Sequence, residues 1–188
     1  MSLIIRKAEI SDAEGIAAVA ASLQIGDERP PLAGQTGFLL WAQSPTTYGT
    51  RLACTKHFVV AEAGSRIVGF LMAYSLEELT EISRSMSYED QVLKNFGERY
   101  SNSTIYPDQI GVLPSHKRQG IGGMMDDKLQ ELAPNVGCAT VIGHAPIRNN
   151  ASIGYFTSRG YGFAQELQQD DWTLGLYERN VILRHSMR

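Results

Sequence analysis

The sequence predicts a single mixed α+β domain spanning residues 1–188, and three observations carry that expectation. His57 to Tyr74 reads as two strand-like runs, FVVAEA and RIVGFLMAY, broken at Gly64-Ser65, the pattern of a β-hairpin. Gln109 to Leu132, QIGVLPSHKRQGIGGMMDDKLQEL, passes from an apolar strand through a basic, glycine-rich turn into an amphipathic helix. Gly162 to Leu167 and Trp172 to Leu183 then read as two closing strands joined by the polar turn Gln168 to Asp171.

Taken in order, Leu3 to Ala8 alternates as a first strand, and Ser11 to Glu14 has the form of a Ser-x-x-Glu capping box. The helix it opens would carry Ile16, Val19, Ala20 and Leu23 on one face. From Gln24 to Lys56, glycines and prolines interrupt the chain repeatedly, leaving one apolar patch at Phe38 to Trp41. Trp41 either packs in the core or lines a pocket; the core is expected, where aromatic residues mostly serve. His57 is expected as a solvated residue at a strand end.

Leu76 to Ser103 reads as an acidic insertion before the next strand. It holds six acids and three bases, so its net charge of −3 equals the formal charge of the whole chain. Tyr88, Val92 and Phe96 suggest a short amphipathic helix within it. Such a run is ordinarily a solvated face, although beside an active site it would attract a cationic amine. Thr104 to Leu113 forms the central strand, and Ile121, Met124, Met125, Lys128 and Leu132 line one face of the helix that follows. Val136 to Gly143 is a further strand ending at His144, and Asn149 or Asn150 caps a helix closing near Gly160.

Composition narrows the function classes. The chain is 43% hydrophobic and 20% charged, ordinary for a globular protein, and its slight acidity argues against a nucleic-acid partner. Cys54 and Cys138 lie far apart and suit reduced, buried thiols better than a disulfide or a metal site. No apolar run approaches the ~20 residues that span a bilayer, and the first residues lack a signal pattern. The expected location is therefore cytoplasmic, with no membrane partner.

The strand-turn-helix at 109–132 is a physical device for holding phosphate. The first N–H groups of a helix lack internal partners, and the helix dipole adds about half a positive charge there. Gly120, Gly122 and Gly123 remove side chains that would keep a ligand from those donors, and Lys117 and Arg118 add charge at the rim. No Gly-Lys-Ser/Thr follows the turn, which excludes a P-loop nucleotide hydrolase. Pro114 lacks an N–H and is expected to stop strand pairing, so that the strand is not zipped along its whole length.

Two blocks in this order resemble the GNAT superfamily of acyl-CoA-dependent N-acyltransferases. The first is Val112, Pro114, Lys117, Gly120 and Gly122; the second is Asn149, Ser152, Phe156, Gly160 and Tyr161. The resemblance implies a mixed, mostly antiparallel sheet splayed at the cofactor strand, with helices on both faces. It also implies acetyl-CoA or another acyl-CoA as cosubstrate, with the pyrophosphate over the amides of Arg118, Gln119, Gly120, Ile121, Gly122 and Gly123, and Lys117 nearby. The pantetheine arm would hydrogen-bond to Val112 and Leu113, with Asn149, Ser152 and Phe156 beside the acyl sulfur. Lys117 departs from the usual Arg or Gln: the charge survives, the planar fork does not.

Acyl transfer requires a neutral amine, hence a base, and a donor for the developing oxyanion, here sought near Val112 or Leu113. Some family members use a glutamate five residues before the Asn, and here that position is His144, which accepts a proton near neutral pH. Tyr106, Asp108 and Glu77 are further candidate bases. The family's tyrosine acid is matched by Phe156, which has no proton to give, so Tyr155 next to it is the candidate acid, although one helical step turns it by about 100°. The expected activity is N-acetylation of a primary amine on a small molecule, a peptide or a protein. The competing reading is a catalytically silent acyl-CoA sensor or scaffold. A homodimer is compatible with either.

Overall fold

A computed structural model describes residues 2–25, 37–85, 104–133, 140–146, 149–169 and 172–180. The expected helix around Tyr88 to Phe96, and Cys138, lie outside them. Seven strands form one sheet in the order β1-β2-β3-β4-β5-β7-β6. They are β1 (Leu3–Lys7), β2 (Phe58–Ala63), β3 (Arg66–Ser75), β4 (Thr104–Val112), β5 (Thr140–Pro146), β6 (Gly162–Gln169) and β7 (Trp172–Asn180). Among the described residues five α-helices accompany them: α1 (Ala13–Ala21), α2 (Pro45–Cys54), α3 (Leu76–Ser85), α4 (Ile121–Leu132) and α5 (Asn150–Ser158). Every strand pair is antiparallel except β4–β5. No helix among the described residues is long and apolar enough to cross a membrane.

The hairpin folds as its pattern predicts. Gly64, at φ +66°, makes the turn, and β3 is buried from Val68 to Ser75. Phe58, Val60, Phe70, Leu71 and Met72 form the centre of the core, into which α1 sends Ile16, Val19 and Ala20. Helix α4 buries Ile121, Met125, Asp126 and Leu129. The predicted face is thus rotated: Met124 is exposed, and Lys128 pairs with Glu131 at 2.6 Å. The cause is Asp126, a carboxylate that is buried because two arginines meet it.

Three other expectations are corrected. The Ser11–Glu14 box does not form; Asp12 instead accepts from the Glu9 N–H at 2.8 Å and from both Arg6 Nη atoms at 2.7 and 2.8 Å. His57 is buried, its Nδ1 2.7 Å from Glu78 Oε2. The first ten residues of the acidic insertion are helix α3, which buries Leu76, Leu79 and Ile82 beneath that pair. Cys54 is half-buried and free.

The decisive irregularity is in β4. Its parallel pairing with β5 covers only Thr104↔Thr140 and Ile105↔Val141. Pro114 is therefore not what parts the two strands; they separate nine residues earlier, beside Pro107, which lacks an N–H. At the same place β4 bulges against β3: Met72 faces Gln109 and Ala73 faces Pro107, leaving Asp108 as the extra residue.

Candidate active site

Beyond Ile105 one edge of β4 lies open, and the register says which atoms it presents. The Leu113 N–H donates to Val68 O at 2.8 Å. In an antiparallel ladder bonded pairs alternate, so the Phe70–Gly111 pair is bonded, and the main-chain groups of Ile110 and Val112 point away from β3 into the gap. The Leu113 N–H is taken up on the β3 side, and the residue is buried and borders a different surface depression beside Arg6 and Glu62. Ile110, by contrast, presents its main chain to the gap. Sequence reasoning missed it, although it stands two residues before Val112 and a strand repeats every two.

The gap continues into the glycine turn. Gly120 caps α4 in the left-handed region at φ +75°, and a Cβ there would meet nothing within 4 Å. Arg118 is left-handed as well, at φ +62°, a costly conformation for a residue with a side chain. The N–H groups of Ile121, Gly122 and Gly123 open the helix without internal partners. Val112, Lys117, Arg118, Gly120, Ile121, Gly122, Gly123, Ser152 and Tyr155 line one cleft of about 970 Å³. Gln119 is exposed and outside this lining.

A second, smaller pocket of about 80 Å³ lies at the other end of the open edge. Phe38 to Trp41 form one wall, Pro107 to Ile110 the floor, and Asn149, Ser152, Tyr155 and Phe156 the third side. Phe38, Ile110, Ser152 and Tyr155 border both cavities, so the two meet at these residues. Trp41 is 40% exposed and belongs to this wall rather than the core. Its carbonyl accepts from Gln109 Nε2 at 2.9 Å, and Gln109 Oε1 accepts from Tyr48 Oη at 2.8 Å.

Asp108 is the carboxylate of this pocket, with its side chain 24% exposed. Arg51 Nη1 donates to Asp108 Oδ2 at 3.1 Å and to Tyr74 Oη at 2.9 Å, and Tyr106 Oη donates to Asp108 Oδ1 at 3.3 Å. Burial pushes the Tyr74 phenol well above its usual range and that of Tyr48 up to about 12. Both phenols are therefore neutral; Tyr48 donates to Gln109, and Tyr74 accepts from Arg51. The backbone of His144 pairs with Leu176, in the part of β5 that has left β4. His144 stands four residues beyond Thr140, and Asp108 four residues beyond Thr104, where the two strands are no longer paired.

The second sequence block divides between the cavities. Asn149 caps α5 by accepting from the Ser152 N–H at 3.2 Å, and its Nδ2 donates to Phe38 O at 3.1 Å; it borders the small pocket, not the cleft. Phe156 likewise borders the small pocket and stacks on Tyr177 at 5.2 Å. The Tyr155 ring lies 3.6 Å from where a Cβ of Gly122 would stand. Its hydroxyl is buried, with no hydrogen-bond partner among the described residues. Burial, then Asp126 and Tyr161, push its pKa well above the usual phenol value against the opposing pull of Arg159 and Arg179. No group of three metal-ligating side chains occurs among the described residues.

Comparison with known proteins agrees with the fold. No curated protein matches the sequence. The Ard1 structure from Thermoplasma volcanium superposes with a TM-score of 0.70 at 14% identity, covering 97% of this chain and 99% of that one. The PaiA N-acetyltransferase of Thermoplasma acidophilum, solved with coenzyme A, has a TM-score of 0.65 at 12% identity, covering 96% and 100%. A Drosophila melanogaster polyamine N-acetyltransferase that forms N-acetylagmatine has a TM-score of 0.64 at 14% identity, covering 96% and 100%. The family model described as acetyltransferase (GNAT) matches residues 27–163, nearly three quarters of the length. The chain belongs to the acetyltransferase (GNAT) family and is, by that membership, an acyltransferase.

Proposed function

We propose that the protein transfers an acetyl group from acetyl-CoA to a primary amine that enters by the small pocket. The observation that carries this reading is the meeting of the two cavities at Ile110, Ser152 and Tyr155, along a strand edge with unpaired main-chain groups. A pantetheine arm, being amide-containing, would pair with Ile110 and Val112 as an added strand. The pyrophosphate would rest on the N–H groups of Ile121, Gly122 and Gly123, beside Arg118. The thioester then falls where the cavities join, and an N–H at Ile110 or Val112 would receive the oxyanion.

Within this reading Asp108 holds the incoming ammonium and His144 on the facing strand takes its proton. A neutral amine then attacks the thioester carbon, and the bond to sulfur breaks as the tetrahedral intermediate collapses. Tyr155 is the candidate donor to the departing thiolate. With a pKa of about 8.5 by analogy with cysteine, that thiolate also leaves unaided. The test is calorimetric titration with CoA together with acetyl-CoA turnover over a panel of amines. Heat of binding with turnover supports the transferase. Binding without acyl transfer to any amine supports the sensor, and an absence of binding sinks both.

A further inference from the structure

The wall of the small pocket is fastened to the cofactor turn by a residue expected to serve phosphate. Lys117 Nζ donates to Gly37 O at 3.0 Å. The next carbonyl in the chain, that of Phe38, accepts from Asn149 Nδ2 at 3.1 Å. Each sequence block thus spends one side chain on consecutive carbonyls of the same segment. The far side of that segment is held too, with the Leu39 N–H donating to Leu23 O at 2.9 Å and the Ile25 N–H to Leu39 O at 3.1 Å. Gly37 fits because a Cβ would come within 3.0 Å of the Ala151 Cβ.

Resting on the transferase reading above, we infer that Lys117 is a positioning residue for the acceptor: it holds the Gly37–Trp41 wall against the cofactor turn, so that the amine pocket depends on it more than cofactor affinity does. The ammonium is only half-exposed and its pKa is lowered by burial, as suits a group spent on a carbonyl rather than on a solvated phosphate. Departure from Arg or Gln has the same logic. A single carbonyl oxygen needs a point donor on a long stem, not a planar fork. Phosphate binding loses little, because the free N–H groups of the turn belong to the main chain.

The experiment uses Lys117→Met and Lys117→Arg in the full chain, each also in a Trp172→Phe background so that Trp41 is the only tryptophan. Three readings are taken: CoA affinity by calorimetry, KM for the most reactive amine of the panel, and Trp41 emission without ligand. For Lys117→Met the expectation is a CoA Kd within about threefold of the parent, an amine KM raised about tenfold, and a shifted Trp41 emission. Lys117→Arg should recover most of the KM and the emission. A Kd raised tenfold or more with Trp41 emission unmoved would make Lys117 a phosphate ligand and overturn the inference. If the parent binds no CoA, the transferase reading falls, while Trp41 emission still reports whether Lys117 holds the wall.

Discussion

Arg159 Nε donates to Asp126 Oδ2 at 2.7 Å, joining the residue that ends α5 to the middle of α4. Arg179 of β7 reaches the same carboxylate at 3.2 Å, and its guanidinium lies 4.4 Å over the Tyr161 ring. Arg159 also pairs with Asp127. The two helices that frame the larger cleft are thus locked to one another and to the closing hairpin. Asp126 is fully buried, so Asp126→Ala leaves Arg179 without its carboxylate and Arg159 with Asp127 alone. The expected cost is about 3–5 kcal/mol, read as a fall in Tm of about 10 °C. Asp126→Asn, which keeps shape and hydrogen-bond acceptance, should lose less. An Asp126→Ala protein within roughly ±0.5 kcal/mol of the parent, the range of an ordinary surface substitution, would show that the cluster clamps nothing.

The His57–Glu78 pair predicts an acid-sensitive stability. Burial pushes the Glu78 carboxyl upward, but His57 and the N–H groups of Ser75 and Lys56 outweigh it and hold it at about 2. A depressed carboxyl contributes fully above its unfolded value near 4.3 and loses that contribution as pH falls toward 2. Glu78→Gln should therefore cost on the order of 2 kcal/mol at pH 7, after allowance for partial exposure. The gap to the parent should close between about pH 4.5 and pH 2. Urea melts at pH 7, 4 and 2.5 measure it; a gap independent of pH would contradict the assignment.

How much of this was readable beforehand divides along physical lines. The hairpin, the glycine turn and the Asn-capped helix are local: period-two patterning, positive φ at Gly64 and Gly120, and the Asn149 cap lie within a few residues of their causes. What escaped was long-range. Asp126 carried no local signal, because its partners stand 33 and 53 residues away. His57 looked solvated because Glu78 is 21 residues on. The split of β4 from β5 was placed at Pro114, yet it follows from Pro107 and the bulge at Asp108, whose register needs β3 to be seen. Of the residues that line the cleft, the glycines stood out in the turn and Val112 through the family resemblance, whereas the Gly37–Trp41 wall carries no motif.

Gly120 and Gly122 serve different ends, and substitution should separate them. Gly120 stands in open space at φ +75°, so Gly120→Ala meets only backbone strain. A loss of about 1–2 kcal/mol and a Tm lower by about 2–6 °C are expected, with CoA affinity nearly retained. Gly122 faces Ile110 and Tyr155 across the cleft, each 3.6 Å from its would-be Cβ. Gly122→Ala fits that contact, whereas Gly122→Val thrusts branches into the cofactor path. CoA Kd should rise about tenfold or more for Gly122→Val with little change in Tm. Equal Kd values for the two Gly122 variants would show that the cofactor runs elsewhere.

Tyr155→Phe tests the proton donor. The hydroxyl is buried, unpartnered and held protonated far above neutral pH, so it is available but a weak acid. A positioned general acid is worth about 10²–10⁴-fold, and a good leaving group needs less. A drop in kcat of about tenfold with KM for acetyl-CoA unchanged would fit a modest acid. No drop at all would assign the proton to water.

The proposed roles of His144 and Asp108 predict opposite kinetic signatures. A histidine base gives kcat/KM a rising limb on its acid side. His144→Gln should remove that limb and lower kcat/KM by about 10²-fold or more at pH 7. Asp108→Asn should keep the limb and raise KM for the amine, because the anchor for the ammonium is lost while the proton acceptor stays. It also leaves Arg51 facing a neutral amide at 3.1 Å, so a small stability loss is expected with it. If the limb vanishes in Asp108→Asn and persists in His144→Gln, the roles are exchanged: the bulged carboxylate of β4 is the base, and the histidine of β5 is not.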